Sequence, residues 1–305
     1  MRLALSVPQA VYRLGRLRPK VVFSTGGYLA IPVLIGAALL RIPTLMWEGN
    51  SVAGRSVRAT ARLAGALAVS FAETCNQLPG RCYVTGTPIR SFEGLDPVSA
   101  RVALELPADV PVMLVFGGSQ AVRRLNEAVA AALPDLLERL SVVHACGTAA
   151  YGDALRGRDQ LPAGQRARYR PFPFIDREMA AALVAADLIV GRAGSSTLAE
   201  AAALGRPIVV VPYPHASGHQ TANARLLAEA GAALVVADED FDADALRRAA
   251  ALVEDGAAMR AMQAAARSLG RPGSAGAGAE IVLAWAERRP LPAAARIEQL
   301  SRAGA

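Results

Sequence analysis

The sequence has 305 residues, enough for two domains of ordinary size. With 53% hydrophobic and only 19% charged residues, it cannot be a globally disordered chain. Its net charge of +7 is uneven: eleven Lys and Arg face four Asp and Glu through Asp96, and the remainder balances. The first third is therefore expected to face something anionic, either a membrane surface, a phosphate or nucleic acid. Cys75, Cys82 and Cys146 form no C-x-x-C pair, and His144, His215 and His219 form no ligand pattern. Neither a disulfide scaffold nor a structural metal site is expected, and a reducing cytoplasm is the natural compartment.

In chain order, "MRLALSVPQAVYRLGRLRPK" reads as a helix without the apolar core or cleavage site of a signal peptide. "KVVFS" reads as a strand, Leu29–Leu40 as a helix too short and proline-bearing to span a bilayer, and "PTLMW" as a strand. Ala53–Leu63 follows as a helix, with "ALAVSF" and "CYVTG" as further strands. "IRSFEGLDPVSA" breaks the pattern and is read as the linker. A second βα series then runs from "PVMLVFG" and a helix over 121–140 through strands "SVVHAC", "RARYRPF", "LIVG", "PIVVVP" and "ALVV". The tail "RPGSAGAGAE" reads as a flexible connector before a last helix near Glu280–Arg288.

Alternating strands and helices define an α/β protein of two doubly wound domains facing a cleft. The expected boundaries are 1–95 for an acceptor- or membrane-facing domain, 96–270 for a ligand domain, and 271–305 for a connector with a C-terminal helix and tail. Only about four strands are readable in the first series, where a complete domain of this kind has about six. The expectation is a first domain shortened at its N-terminus.

The candidate chemistry lies in the loops after the strands. "VFGGSQ" ends a buried strand in Gly117, Gly118 and Ser119 before a helix, and "VGRAGSST" repeats the arrangement with Gly194 and Ser195. Helix N-termini behind such turns offer unpaired N–H groups and a dipole suited to phosphate, although either turn alone also fits a plain βα connection. Glu200 lies three residues after Thr197, a capping-box spacing, so spacing alone favours a helix cap over a ligand contact. "PYPHASGHQTANA" places His219 and Gln220 at the start of the next helix, suited to sugar hydroxyls. In the first domain, "STGGYLAIP" and "MWEGNSVAG" offer Tyr28, Glu48 and Asn50, and "GTPIR" offers Arg90. A dehydrogenase is disfavoured because no G-x-G-x-x-G follows a strand, and nucleic-acid binding because no aromatic-basic motif accompanies the charge.

Together "STGGY", "WEGN", "VTGTPIR", "VFGGSQ" and "RAGSSTLAEAAALGRPIVVVPYPHASGHQTANA" resemble the MurG family in order and spacing, over nearly the whole chain from Val21. The resemblance implies a GT-B fold and inverting transfer of N-acetylglucosamine from UDP-GlcNAc to lipid I, giving lipid II. It implies no metal or other cofactor, and a peripheral place on the cytoplasmic face of the membrane with an anionic lipid surface as partner. It further implies that Ser119 and its glycine turn contact the nucleotide, Arg90 and Ile175 the nucleoside, and Glu200 the ribose hydroxyls. Gln220, with His219 beside it, takes the sugar hydroxyls, and Asn50 approaches the sugar from the first domain. The resemblance thus reverses the preference for a cap at Glu200. The sequence departs from the family in three places: the loop GGTGGH with its proposed catalytic His does not occur, HEQN stands as "WEGN", and a glutamine pair stands as His219-Gln220. No catalytic residue is therefore assigned, and a shortened, non-catalytic UDP-sugar-binding protein of the same fold is the alternative.

Overall fold

The computed structural model describes residues 2–117, 123–214 and 218–304. They form two compact units, one of residues 1–89 and 271–305 and the other of residues 90–270.

The first unit is built on four parallel strands, β1 (Val22–Ser24), β2 (Thr44–Glu48), β3 (Ala66–Val69) and β4 (Cys82–Val84), in the order β1-β2-β3-β4. Alternation along each strand separates two apolar faces. Met46, Leu67 and Val69 pack with Leu34, Val57 and Ala61 of the intervening helices. Leu45, Ala66, Ala68 and Tyr83 pack with Ala277, Ile281 and Ile297. The latter three belong to helices Ser274–Ala286 and Ala294–Arg302, so the tail covers one face of the first sheet. This corrects the expected flexible connector: helix Ser274–Ala286 begins within "GSAGAGA", with Ser274 and Ala277 buried. The 271–305 segment is accordingly part of the first unit rather than a separate piece. The first helix, Arg2–Leu17, lies on helix Ile31–Leu39, where a side chain on Gly36 would meet Leu14 at 3.3 Å.

A second correction concerns cysteine. Cys75 and Cys82 are joined as a disulfide, their Cα atoms 5.7 Å apart, tying the short helix Ala72–Cys75 to the start of β4. Sequence spacing gave no sign of it, because the two approach only once the β3–β4 connection folds back. Cys146 is a free, buried thiol.

The second unit carries six parallel strands: β5 (Val112–Phe116), β6 (Ser141–Ala145), β7 (Tyr169–Phe172), β8 (Leu188–Gly191), β9 (Ile208–Val210) and β10 (Ala233–Val235). Their order is β10-β9-β8-β5-β6-β7, so the winding reverses between β5 and β8. Helix Arg123–Arg139 and helix Ala243–Ala251 cover one face through Leu125, Val129, Leu136, Leu246 and Ala249. The division between the units falls at Ile89/Arg90. Part of the expected linker is in fact a helix, Pro97–Ala103, started by an Asp96–Ser99 capping box.

Candidate functional site

In a doubly wound sheet, ligands bind beyond the carboxyl ends of the strands where the order reverses. Here that place lies between β5 and β8, and the loops leaving these strands are the two glycine turns picked out in the sequence. Gly117 is buried directly after β5. Gly118 and Ser119 lie outside the described residues. At the end of β8, Gly191 pairs with Phe116, and a Cβ on it would stand 2.8 Å from the Phe116 carbonyl oxygen. Only glycine allows the two strand ends to run this close. Gly194 then starts helix Ser195–Ala203 in an extended conformation without a side-chain cap. The N-terminal amides of that helix keep their donors for an anion, with the helix dipole adding to the attraction.

Glu200 is one to two turns further along and buried. No capping box forms with Thr197, because Gly194 and not Thr197 begins the helix. The carboxylate instead binds Arg90, whose Nε lies 2.6 Å from Oε1. The two residues are 110 positions apart in the sequence and meet in the second unit. Ile175 is buried in the crossover from β7 to β8, ahead of helix Met179–Ala185.

The next arm leaves β9. Gly218 takes a left-handed conformation, φ 78°, and begins helix His219–Glu229 without a side-chain cap. Gln220 turns back, its Oε1 accepting the Tyr213 N–H at 2.9 Å. Asn223, fully buried, donates from Nδ2 to the Ala193 carbonyl at 3.3 Å and so fastens this helix to the β8 turn. His219 sits half-buried beside Gln220.

The first-unit candidates form a separate group. Glu48 is buried, and its carboxylate organises its own loop: Oε1 accepts the Asn50 backbone and side-chain N–H groups, and Oε2 accepts the Gly54 N–H at 2.8 Å. Thr74 and Gln77 donate to the Asn50 and Ser51 carbonyls and complete the brace. Tyr28 is exposed on a short 3-10 turn.

Sequence reasoning missed two buried polar groups. Arg192 lies under the β8 turn, its Nη1 donating to Asp238 at 2.6 Å and to the Val211 carbonyl at 3.1 Å. Asp238 and Asp240 have the D-x-D spacing of a metal seat, but the Asp238 carboxylate is engaged by Arg192, and no three acidic, His or Cys groups among the described residues cluster as ligands. On β6, His144 is held between Asn126 and Tyr169. Asn126 donates Nδ2 to the Cys146 carbonyl, so its Oδ1 accepts from His144 Nε2–H, leaving Nδ1 to accept the Tyr169 hydroxyl. Burial lowers the His144 pKa to about 4 and raises that of the Tyr169 hydroxyl.

Two Rossmann-like units, the second carrying a strand-end site at its switch point, define a protein of the GT-B fold. Sequence models of the glycosyltransferase family 28 C-terminal and N-terminal domains match residues 112–272 and 1–69. A Syntrophotalea carbinolica protein named UDP-N-acetylglucosamine--N-acetylmuramyl-(pentapeptide) pyrophosphoryl-undecaprenol N-acetylglucosamine transferase is 40% identical over 88% of this chain and 74% of its own. A Listeria monocytogenes protein of the same name is 36% identical over 87% of this chain and 74% of its own. The crystal structure of Acinetobacter baumannii MurG superposes with a TM-score of 0.73 at 28% identity, covering 94% of this chain and 80% of that one. The chain belongs to the MurG family. At 13% identity, the Staphylococcus aureus MnaA–UDP structure shares the fold alone, with a TM-score of 0.67.

Proposed function

We propose that the chain transfers N-acetylglucosamine from UDP-GlcNAc to lipid I, yielding lipid II and UDP for peptidoglycan synthesis, with inversion at the anomeric carbon. The observation that carries this reading is the meeting of two glycine-bearing strand ends at the β5/β8 switch point, with the Glu200–Arg90 pair beside them. The anionic diphosphate sits against the uncapped amides of helix Ser195–Ala203, beside the end of β5 at Gly117. Glu200 accepts both ribose hydroxyls, and Arg90 keeps that carboxylate from repelling the diphosphate nearby. Arg90 and Ile175 flank the nucleoside, while His219 and Gln220 reach the sugar hydroxyls.

In the transfer, the acceptor hydroxyl attacks the anomeric carbon as the bond to the diphosphate breaks, and its proton is released with the departure of UDP. Charge grows on the departing phosphate oxygen, where fixed N–H dipoles stabilise it without reorganisation. The backbone supplies this help, so no metal or other cofactor enters the reading. Asn50, held rigid by Glu48, contacts the transferred sugar, and Tyr28 lies on the acceptor side.

The lipid acceptor places the enzyme at the cytoplasmic membrane face as a peripheral protein. No described helix is long and apolar enough to cross a membrane. The first unit instead exposes Tyr12, Leu17, Phe23, Tyr28, Leu29 and Leu39. Arg13, Arg16, Arg18, Lys20 and Arg41 are exposed in the same stretch of chain. Apolar side chains interleaved with cations suit an anionic bilayer surface.

Calorimetric titration with UDP, UDP-GlcNAc and ADP tests the donor assignment. Binding of both uridine nucleotides and not ADP is expected. Absence of any uridine-nucleotide affinity overturns it, and binding without turnover on lipid I supports the non-catalytic alternative.

A further inference from the structure

Arg192 stands at the carboxyl edge of the second sheet, only 6% exposed, between the loops beyond β9 and β10. It belongs to the β8 turn that leads into Gly194. Its Nη1 reaches the Val211 carbonyl just beyond β9, and its guanidinium carbon lies 5.6 Å from the centre of the Tyr213 ring. The Tyr213 N–H is the one that Gln220 accepts. The same Nη1 donates to Asp238 Oδ1, beyond β10. The second oxygen of Asp238 lies 3.4 Å from Arg124 Nε, and Arg124 Nη1 donates to the Glu239 carbonyl at 3.2 Å. Arg124 is in the first turn of helix Arg123–Arg139, the helix that follows the Gly117 turn.

We infer that Arg192 and Asp238 are positioning residues for the donor site, one ion pair holding the β8 turn, the helix after β5 and the Gln220 arm in register. The inference rests on the UDP-GlcNAc reading above. A buried ion pair gains little net stability against an apolar replacement, because desolvating two charges offsets most of their attraction. What such a pair does supply is fixed geometry. Arg192 has a planar fork, so it meets Asp238, Val211 and Tyr213 from one orientation, and Lys cannot reproduce that. Asp238 has two oxygens, and each is directed to a different turn. If the pair loosens, the β8 turn and the helix after β5 lose their common anchor. The amides that face the diphosphate then lose register, and small misplacements at such sites cost large factors in rate.

The test compares Asp238→Asn, Asp238→Glu and Arg124→Ala with the wild type, reading UDP affinity by calorimetry, donor and acceptor KM, and unfolding of the unliganded protein. Asp238→Asn keeps size and one acceptor but removes the charge shared by the two arginines. It is expected to weaken UDP binding and raise donor KM roughly ten- to hundredfold, with acceptor KM unchanged and partial recovery in Asp238→Glu. Arg124 is 44% exposed, so Arg124→Ala leaves the core intact and is expected to raise donor KM several-fold at unchanged unfolding temperature. Wild-type UDP affinity in Asp238→Asn and Arg124→Ala, or equal losses for donor and acceptor, overturns the inference while leaving the donor reading in place. A wild-type protein that binds no UDP overturns both.

Discussion

Arg90 and Glu200, 110 residues apart, meet through a 2.6 Å contact between guanidinium Nε and carboxylate Oε1. The pair joins the first residue of the second unit to the helix behind the β8 turn. Glu200→Gln removes the charge that binds Arg90 and that, in the proposed donor reading, also serves the ribose hydroxyls. Hydrogen bonds to charged groups contribute about 1.5–3 kcal/mol, so donor KM is expected to rise tenfold or more with the acceptor KM unchanged. Steady-state kinetics with varied UDP-GlcNAc checks it; an unchanged donor KM removes Glu200 from the ribose.

Gly191→Ala places a methyl group 2.8 Å from the Phe116 carbonyl oxygen, at the point where the two site-bearing strands pair. Overpacking of this kind costs about 1–3 kcal/mol, and the carbonyl is backbone that cannot rotate away. A lower midpoint in urea, together with weaker UDP binding, is the expected result. Wild-type stability means that β5 and β8 are not so close.

His144 sets a pH dependence. Its pKa is lowered to about 4 by burial, against an ordinary value near 6.5. Between these values the unfolded chain takes up a proton that the folded protein refuses, so stability falls as pH drops from about 6.5 to 4 and levels off below. Above pH 6.5 the imidazole is neutral in both states and contributes no slope. Over that window the loss amounts to about 3 kcal/mol. His144→Gln is expected to flatten the acid limb of a denaturation series. Equal slopes in variant and wild type place the effect on carboxylates instead.

Membrane contact is tested with vesicles containing phosphatidylglycerol. Sedimentation with them is expected to fall as salt rises, since surface charges are screened over about 8–10 Å at 0.1–0.15 M. Tyr12→Ser with Leu17→Ser, both side chains being well exposed, is expected to reduce binding without altering the fold. Salt-independent binding contradicts a role for the arginines.

Much of the fold was legible in the sequence because apolar runs such as "MLVF" and "LIVG" are read locally. The β8 glycine turn, the His219–Gln220 helix start and the six strands of the second sheet fall where that pattern places them. What escaped depended on distant partners. Glu200 matched a cap by spacing, yet its helix begins at Gly194 and its partner is Arg90. Arg192 gave no local signal, because Asp238 lies 46 residues away. The start of helix Ser274–Ala286 was misread because alanine and glycine resemble a loop in composition, whereas Ala277 and Ile281, one turn apart and apolar, both pack on the first sheet. Cys75 and Cys82 looked unpaired for the same reason: their proximity is made by the β3–β4 connection.

The central claim is transfer. Purified protein is incubated with UDP-GlcNAc labelled in the sugar and with lipid I in anionic vesicles, and the lipid fraction is analysed for label and linkage. The account predicts label in a lipid-linked disaccharide, with inverted configuration at the new bond and one UDP released per sugar transferred. Label that stays in UDP-GlcNAc, or that appears as free sugar with no lipid-linked product, contradicts it.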